Sequence, residues 1–342
     1  MSTPRPSLDW PRLERLRHEA VIVTGAPGVF EITGPGALPC IQGLLTNDIV
    51  KAGENSAVYG ALLTPKGMIV VDFWTIRQPA GITLIADPQG HDAAVALFQH
   101  QLPPRLARMT DLTGERGVAW LFGDESIGHL RFAGIGPVEE RAGGVTTGHA
   151  GGEPLTIVRT ESWGPPFRAM LVGSTAAIEA AAGVLMRAGI ARGDESDRQA
   201  ARILCGWPAL GAEIDEKTLP QEARFDDIQG VSYTKGCYTG QETVARLHFR
   251  GHANRGLMGL RWHGNEPLEG ESVLTEAGKE VGSVRSVLVL PDRLLGIAMV
   301  RREVEPGELV IAGRRSARTS ILPFGPSHFE PEYLGSTGSS RP

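Results

Sequence analysis

One short run in the chain places a cysteine where its thiol could do chemistry. Residues 235–246 read KGCYTGQETVAR, with Cys237 between Gly236 and Gly240 and helix-forming residues after them. The run therefore predicts a tight loop that leads into a helix N-terminus. Backbone N–H groups at such an end favour negative charge, so a thiol there and near Lys235 can have a depressed pKa and unusual reactivity. The same loop could instead bind an anionic group of a ligand.

A simpler interpretation of Cys237 stands beside this one. A single cysteine is most often a small buried hydrophobic residue, and glycines before a helix are ordinary. Because Lys235 precedes the glycines, the order departs from G-x-x-x-x-G-K-[ST], which argues against a nucleotide-binding P-loop. His248 and His252 are four residues apart, but Gly251 is expected to end the helix between them. With no third ligand evident, the sequence predicts no metal site.

Asp72 is the second candidate for chemistry. It interrupts the apolar run at 68–76, where an ionised carboxylate is costly unless it is paired. Strand alternation could simply turn its side chain to solvent. In the functional interpretation, its carboxylate accepts hydrogen bonds from the N–H groups of a ligand, as a pterin ring would require.

The elements that position these residues follow from hydrophobic periodicity and turn residues. Three apolar runs joined by short turns predict an antiparallel meander that contains Asp72, at 57–63, 68–76 and 82–86. Helices are predicted at about 36–45, 90–102, 174–188 and 194–204. The glycine-rich residues 142–153 predict a loop or a module junction, and short strands between 257 and 322 predict a small barrel or sandwich.

Composition limits the class of protein. The 342 residues suggest two or three domains, and 44 glycines indicate many turns and a β-rich architecture. The 34 basic and 39 acidic residues give a net charge of −5, so no direct nucleic-acid binding is predicted. Three widely spaced cysteines indicate a reducing compartment rather than a disulfide framework. Without an apolar N-terminal segment or a run of roughly 18 apolar residues, we predict a cytoplasmic protein that makes no membrane contact.

The residues KGCYTGQE at 235–242, followed by Arg246, closely resemble the signature of the YgfZ family of folate-binding proteins. That family includes mitochondrial iron–sulfur assembly relatives and lies in the superfamily of the glycine-cleavage T-protein, an aminomethyltransferase. Three further segments are similar to family segments: ITGPGALPCIQGLLTNDI at 32–49, YGALLTPKGMIVVDF at 59–73 and RILCGWPALGAEIDEKTLPQEA at 202–223. The resemblance spans about residues 20–325.

The resemblance implies an α+β fold of three modules in a ring around a central folate-sized opening. Residues 9–250 would form the aminomethyltransferase-like folate-binding region, built from two interleaved α+β modules. Residues 255–325 would form a small C-terminal β-barrel module.

The resemblance also implies a role, a cofactor and a site. The role is folate-dependent support of iron–sulfur cluster assembly or repair, which affects tRNA modification indirectly because the thiolating enzymes carry such clusters. The cofactor would be tetrahydrofolate or a derivative, the partners iron–sulfur assembly or client proteins, and Cys237 the functional thiol. The implied cofactor-binding residues are Asn47, Asp48, Asp72, Lys235, Gly236, Gly240, Gln241, Glu242 and Arg246.

Two departures from the aminomethyltransferase pattern bear on activity. In those enzymes the segment resembling 202–206 commonly reads R-x-E-x-G, with the glutamate helping to hold the pterin, and here Leu204 takes its place. Their hairpin usually has two adjacent acids, and here the pair is Val71 and Asp72. These departures favour a folate-binding assembly factor, and whether the protein is an enzyme stays open. The alternatives are a tetrahydrofolate-dependent aminomethyltransferase or demethylase-like one-carbon transferase, and a scaffold that has lost its ligand.

Overall fold

Three β-sheets form the framework of the protein, which a computed structural model describes over residues 5–160 and 166–329. The strands in chain order are β1 (Val21–Gly25), β2 (Gly28–Thr33), β3 (Ser56–Leu63), β4 (Ile69–Gln78), β5 (Gly81–Ala86), β6 (Arg108–Asp111), β7 (Arg116–Phe122), β8 (Val145–Ala150), β9 (Glu153–Arg159), β10 (Ala169–Ser174), β11 (Ala191–Arg192), β12 (Arg255–His263), β13 (Ser272–Thr275), β14 (Glu280–Val289), β15 (Arg293–Arg301), β16 (Leu309–Ala312) and β17 (Arg315–Ser320). The α-helices are α1 (Trp10–Arg17), α2 (Ala37–Leu44), α3 (Ile49–Ala52), α4 (His91–Gln101), α5 (Ser126–Phe132), α6 (Thr175–Arg187), α7 (Glu195–Leu204) and α8 (Gln241–Arg250).

The first sheet has five strands in the order β3-β4-β5-β2-β6, with antiparallel pairing throughout. The predicted meander is confirmed as β3, β4 and β5, and Gly67 in the first of its turns has a φ of +89°. One face of the sheet buries Phe30 and Phe73 in an apolar cluster with α2 and with Phe98 of α4. The other face of β4, which carries Asp72, is therefore turned away from this core.

The second sheet has six strands in the order β11-β1-β7-β10-β9-β8. The chain enters it at β1, leaves to build the five-stranded sheet, and returns at β7, so the two sheets are interleaved along the chain. The prediction of a loop at 142–153 is wrong, because β8 lies there and pairs with β9. The buried positions of β8 are Val145, Gly148 and Ala150, two of them too small to give a hydrophobic alternation.

The third sheet is a closed barrel of six strands in the order β12-β15-β14-β13-β16-β17. Trp262 is fully buried in its core and donates its indole N–H to the carbonyl of Ala312. The expected α+β architecture with a small C-terminal β-barrel is thus confirmed. The module boundary between 250 and 255 stays a prediction.

Helix α7 joins the modules. Asp194 and Asp197 form a capping box at its start, and Arg12 of α1 pairs with both carboxylates at 2.5 and 2.7 Å. Near its other end, Arg202 donates to the hydroxyl of Ser286 in the barrel at 2.8 Å. Side chains on α7 are consequently fixed relative to α1 and to the barrel. Over the described ranges, none of the helices has the length and apolar character needed to cross a membrane.

Candidate functional site

A cavity opens where the five-stranded sheet, the six-stranded sheet and α7 meet. Its empty space is about 890 Å³ when it is counted out to the open mouth, with the adjoining solvent included. We call it the tryptophan cavity, because three tryptophans are among the six aromatic residues that line it. The aromatic residues are Tyr59, Trp74, Trp120, Phe122, Phe167 and Trp207. Trp74 and Trp207 stack with ring planes 10° apart and centroids separated by 5.9 Å.

Asp72 lies in the wall of this cavity. Along β4 the neighbours Val71 and Phe73 are buried in the core, so Asp72 and Trp74 share the opposite face. The hydroxyl of Tyr59 donates to Oδ2 of Asp72 at 2.8 Å, whereas Oδ1 is buried and has no hydrogen-bond partner within the described part of the chain. Burial raises the pKa of Asp72 to about 6; the bond from Tyr59 opposes that shift, and the charge of Asp87 adds to it.

Charged residues of α7 line the opposite wall, at the helical spacing i, i+3 and i+7. Arg198 makes two hydrogen bonds of 2.7 Å to Glu195, lies 3.5 Å from Asp87, and stacks over Trp120 with its guanidinium carbon 5.3 Å from the ring centroid. Arg202 is buried and pairs with the buried Glu213 at 2.7 Å. Sequence reasoning did not single out these residues. Their spacing in a predicted helix was the available signal.

The structure also shows where the two departures from the aminomethyltransferase pattern, Leu204 and Val71, lie. Leu204 is buried in an apolar cluster with Phe324 and does not line the tryptophan cavity. Val71 lies in the core of the five-stranded sheet. Glu195 brings a carboxylate into the cavity from the same helix as Leu204, but that carboxylate is held by Arg198.

A second cavity, with about 840 Å³ of empty space, adjoins the first. Tyr59, Trp74 and Trp207 line both cavities, so their rings form an aromatic partition between the two. Asn47 lies on the far side of this partition and donates its amide to the carbonyls of Tyr59 and Gln229, at 2.7 Å each. Asn47 and Asp72, both predicted to contact a pterin, therefore lie on opposite sides of one wall.

The cysteine loop lies outside both cavities. Cys237 is the exposed one of the three cysteines, and α8 begins four residues later at Gln241. Gly240 has a φ of +81°, and a Cβ there would come within 2.6 Å of the carbonyl oxygen of Thr64, so the loop requires glycine at this position. Gly236 has neither a positive φ nor a neighbour within 4 Å of a Cβ, so only Gly240 shows the tight-turn geometry expected of both.

Lys235 fixes this loop to the protein. Its buried ammonium donates to the carbonyls of Gln42, Leu45 and Asn47 at 2.6, 2.5 and 3.0 Å. Burial lowers the pKa of Lys235 to about 8, and the charge of Asp48 opposes that shift. With its three donors used, the ammonium clamps the connection between α2 and α3.

The remaining predicted site residues lie away from the cavities. Asp48 caps α3 by accepting the backbone N–H of Lys51 at 2.9 Å. Gln241, Glu242 and Arg246 lie on α8 and line neither cavity. The structure thus places Asp72 in the tryptophan cavity and Asn47 in the second one.

The two other cysteines are less accessible than Cys237. Burial raises the pKa of Cys205 to about 11, and Cys40 is half-buried. Among the residues that the structure describes, no group of three or more His, Cys, Asp or Glu side chains is arranged to hold a metal ion.

The fold is that of the aminomethyltransferases. The glycine cleavage system aminomethyltransferase T of Bartonella henselae matches 92% of this chain and 88% of its own, with a TM-score of 0.78 at 18% identity. In sequence, the chain is 26% identical to the tRNA-modifying protein YgfZ of Cronobacter sakazakii over 308 residues, 88% of each protein. It is also 26% identical to an aminomethyltransferase of Rubrobacter xylanophilus over 338 residues, 91% of this chain and 85% of that protein.

No family model matches the chain. The similarities over most of its length nevertheless agree with one another and with the fold. Over most of its length the chain is similar to both a YgfZ protein and an aminomethyltransferase, and the resemblance inferred from the cysteine motif is confirmed.

Proposed function

We propose that the protein binds a reduced folate in the tryptophan cavity and, through Cys237, supports the assembly or repair of iron–sulfur clusters. The observation that carries the folate assignment is Asp72, a carboxylate with a buried oxygen that lacks a partner in the described structure, in a cavity walled by aromatic rings. A pterin is a flat heteroaromatic ring with N–H donors, so it needs both features. Bound tetrahydrofolate would supply ring nitrogens that carry one-carbon groups.

Each residue of the wall has a defined part in this proposal. Tyr59 occupies Oδ2 of Asp72 and leaves Oδ1 for a ligand N–H. Trp74 and Trp207 offer ring faces and exclude water, which strengthens polar contacts inside the cavity. The pair formed by Glu195 and Arg198 holds the opposite wall.

Calorimetry with folinic acid tests the folate assignment. In Asp72→Asn a hydrogen bond to a charged group is lost, worth about 1.5–3 kcal/mol, so affinity should fall about 10- to 100-fold. Asp92→Asn is the matched control, because Asp92 is exposed and does not line the tryptophan cavity. Unchanged affinity in Asp72→Asn, or no binding by the wild type at millimolar folinic acid, would refute the assignment.

The role in cluster assembly rests on the thiol. Cys237 is exposed in a loop clamped by Lys235, where an iron–sulfur assembly or client protein can reach it. A relative that matches most of the chain is named a tRNA-modifying protein. That name fits an indirect effect on tRNA modification through cluster-dependent thiolating enzymes. We propose no direct contact with nucleic acid.

Complementation of a deletion strain tests the thiol. Cys237→Ala should leave the folded structure intact and fail to restore the activity of cluster enzymes, whereas Cys40→Ala should restore it. Circular dichroism and folinic-acid binding verify that both variants are folded. Full complementation by Cys237→Ala would refute the role that we propose for the thiol.

One observation favours a second candidate, a one-carbon transferase. The pKa of Asp72 is raised to about 6, so this carboxylate can exchange a proton near neutral pH beside a bound folate. The departure at Leu204 does not decide against that activity, because this side chain lies outside the tryptophan cavity. Formation of methylenetetrahydrofolate from an aminomethyl or methylated amine donor would establish it in place of the first proposal.

A further inference from the structure

We infer that the tryptophan cavity selects ligands that carry a soft organic cation, such as an alkylated ammonium group or a delocalised iminium. The inference rests on two independent features of the wall, its aromatic faces and its charge. It goes beyond the proposed function, because it states which charge a ligand must carry at Asp72.

The aromatic wall matches the way proteins recognise such cations. Tyr59, Trp74 and Trp207 lie together, with ring centroids 4.7–5.9 Å apart. Trp120 already has the guanidinium of Arg198 over its ring, which shows that a cation is accommodated in this wall. A cluster of tryptophan and tyrosine faces attracts a weakly hydrated cation, and tryptophan is the strongest of these partners.

The charges of the wall leave a carboxylate for the ligand. Three carboxylates, on Asp72, Asp87 and Glu195, line the cavity together with the guanidinium groups of Arg198 and Arg202. Arg198 is engaged by Glu195 and Asp87, and Arg202 by Glu213, which lies behind the wall.

Among the described residues, no cationic side chain is paired with Asp72. Its hydrogen bond comes from the neutral hydroxyl of Tyr59. The carboxylates near the cavity therefore outnumber the guanidinium groups by two when Asp72 is ionised. A ligand cation seated between the aromatic faces and Oδ1 would balance part of this excess charge.

Two chemical sources supply such a cation. One is a folate whose ring nitrogens are joined by a methenyl bridge, which carries a delocalised positive charge. The other is an alkylated amine that enters the cavity by itself. The first source rests on the proposed function, and the second does not.

Two pairs of probes, in which one member carries the cation and the other does not, test the inference. Choline is compared with dimethylbutanol, its uncharged carbon isostere, and methenyltetrahydrofolate with folinic acid, whose ring system is uncharged. Binding is followed near neutral pH by the fluorescence of the tryptophans, three of which line the cavity. Methenyltetrahydrofolate is mixed rapidly from an acidic stock, because its bridge hydrolyses at neutral pH.

We expect the cation of each pair to bind at least about tenfold more tightly than its neutral counterpart. Asp72→Asn, which keeps the shape and removes the charge, should reduce that preference to within about threefold, since it removes the uncompensated carboxylate. Asp92→Asn should keep the full preference.

The outcomes separate the inference from the proposed function. Equal binding within both pairs overturns the inference, while tight binding of folinic acid in that case leaves folate binding intact. A preference for choline with no binding of either folate supports the inference and removes the folate assignment. Failure of all four probes to bind, or a preference that survives in Asp72→Asn, overturns the inference.

Discussion

Asp72 should make the ligand-free protein less stable as the pH rises. The pKa of this carboxyl is 3.8 in an ordinary environment and about 6 in the folded protein. Its folded pKa is the higher one, so the native state binds more protons than the unfolded state between these values. The stabilisation from protonated Asp72 is present below about pH 4 and is lost as the pH rises through about 6.

The magnitude follows from the two pKa values. At 1.36 kcal/mol per pH unit, the difference between 3.8 and about 6 corresponds to about 3 kcal/mol of unfolding free energy. The groups that face Asp72 are the hydroxyl of Tyr59, the carboxylate of Asp87, and the charged side chains of Glu195, Arg198 and Arg202 across the cavity. Asp87 adds to the raised pKa, whereas the hydrogen bond from Tyr59 opposes it.

Urea unfolding of the wild type and Asp72→Asn, from about pH 4 to about pH 7.5, measures this effect. Asparagine does not titrate, so the unfolding free energy of the variant relative to the wild type should increase by about 2–3 kcal/mol over that interval. Taking the change with pH cancels any constant penalty from the new amide. If the difference in unfolding free energy between the variant and the wild type stays constant with pH, or decreases as the pH rises, the raised pKa of Asp72 is refuted. Glu276→Gln, which neutralises an exposed carboxylate outside the cavity, should show no such increase.

Three further predictions concern the cysteine loop and the helix that joins the modules. Gly240→Ala should lower the unfolding free energy by at least about 1 kcal/mol in urea, because its φ is positive and a Cβ would meet backbone, whereas Gly236→Ala should change it by less than about 0.5 kcal/mol. Arg202→Met should cost about 3–5 kcal/mol by the same measurement, because it leaves a buried carboxylate unpaired. Iodoacetamide should modify Cys237 before Cys205 in the native protein, as peptide mass spectrometry can show, since Cys205 is buried and the pKa of its thiol is raised to about 11. Equal rates at the two thiols would contradict the described loop.

The sequence predicted well the elements that carry a strong local signal. The meander β3–β5 has long apolar runs and a glycine turn, and α8 has helix formers directly after a glycine loop. The sequence did not predict β6, because three of its four residues are exposed. It also did not predict α5, which contains a glycine. β6 is held by its pairing with β2, and α5 by the burial of Leu130 against the six-stranded sheet, so contacts with distant segments outweigh local preference.

The cavity could not be read from local pattern because it is assembled from distant parts of the chain. For Asp72 the sequence offered solvent or a ligand, and strand alternation correctly placed it off the core face. What covers that face comes from elsewhere: Trp120 from the six-stranded sheet, Arg198 from α7, and Trp207 from the segment after that helix. Because the two sheets are interleaved along the chain, no local window contains more than one side of the cavity.

The thiol of Cys237 and the tryptophan cavity lie in different parts of the protein. Cys237 is exposed at the surface, whereas Asp72 lies in an internal wall, so the roles proposed for the thiol and for the cavity do not require one small ligand to touch both. The two regions are nevertheless joined by consecutive contacts. Lys235, two residues before the thiol, donates to the carbonyl of Asn47 at 3.0 Å; Asn47 donates to the carbonyl of Tyr59 at 2.7 Å; and Tyr59 donates to Asp72 at 2.8 Å. Asn47 thus connects the cysteine loop to the aromatic partition. A ligand that engages Asp72 binds against the same hydrogen-bonded structure that holds the thiol at the surface.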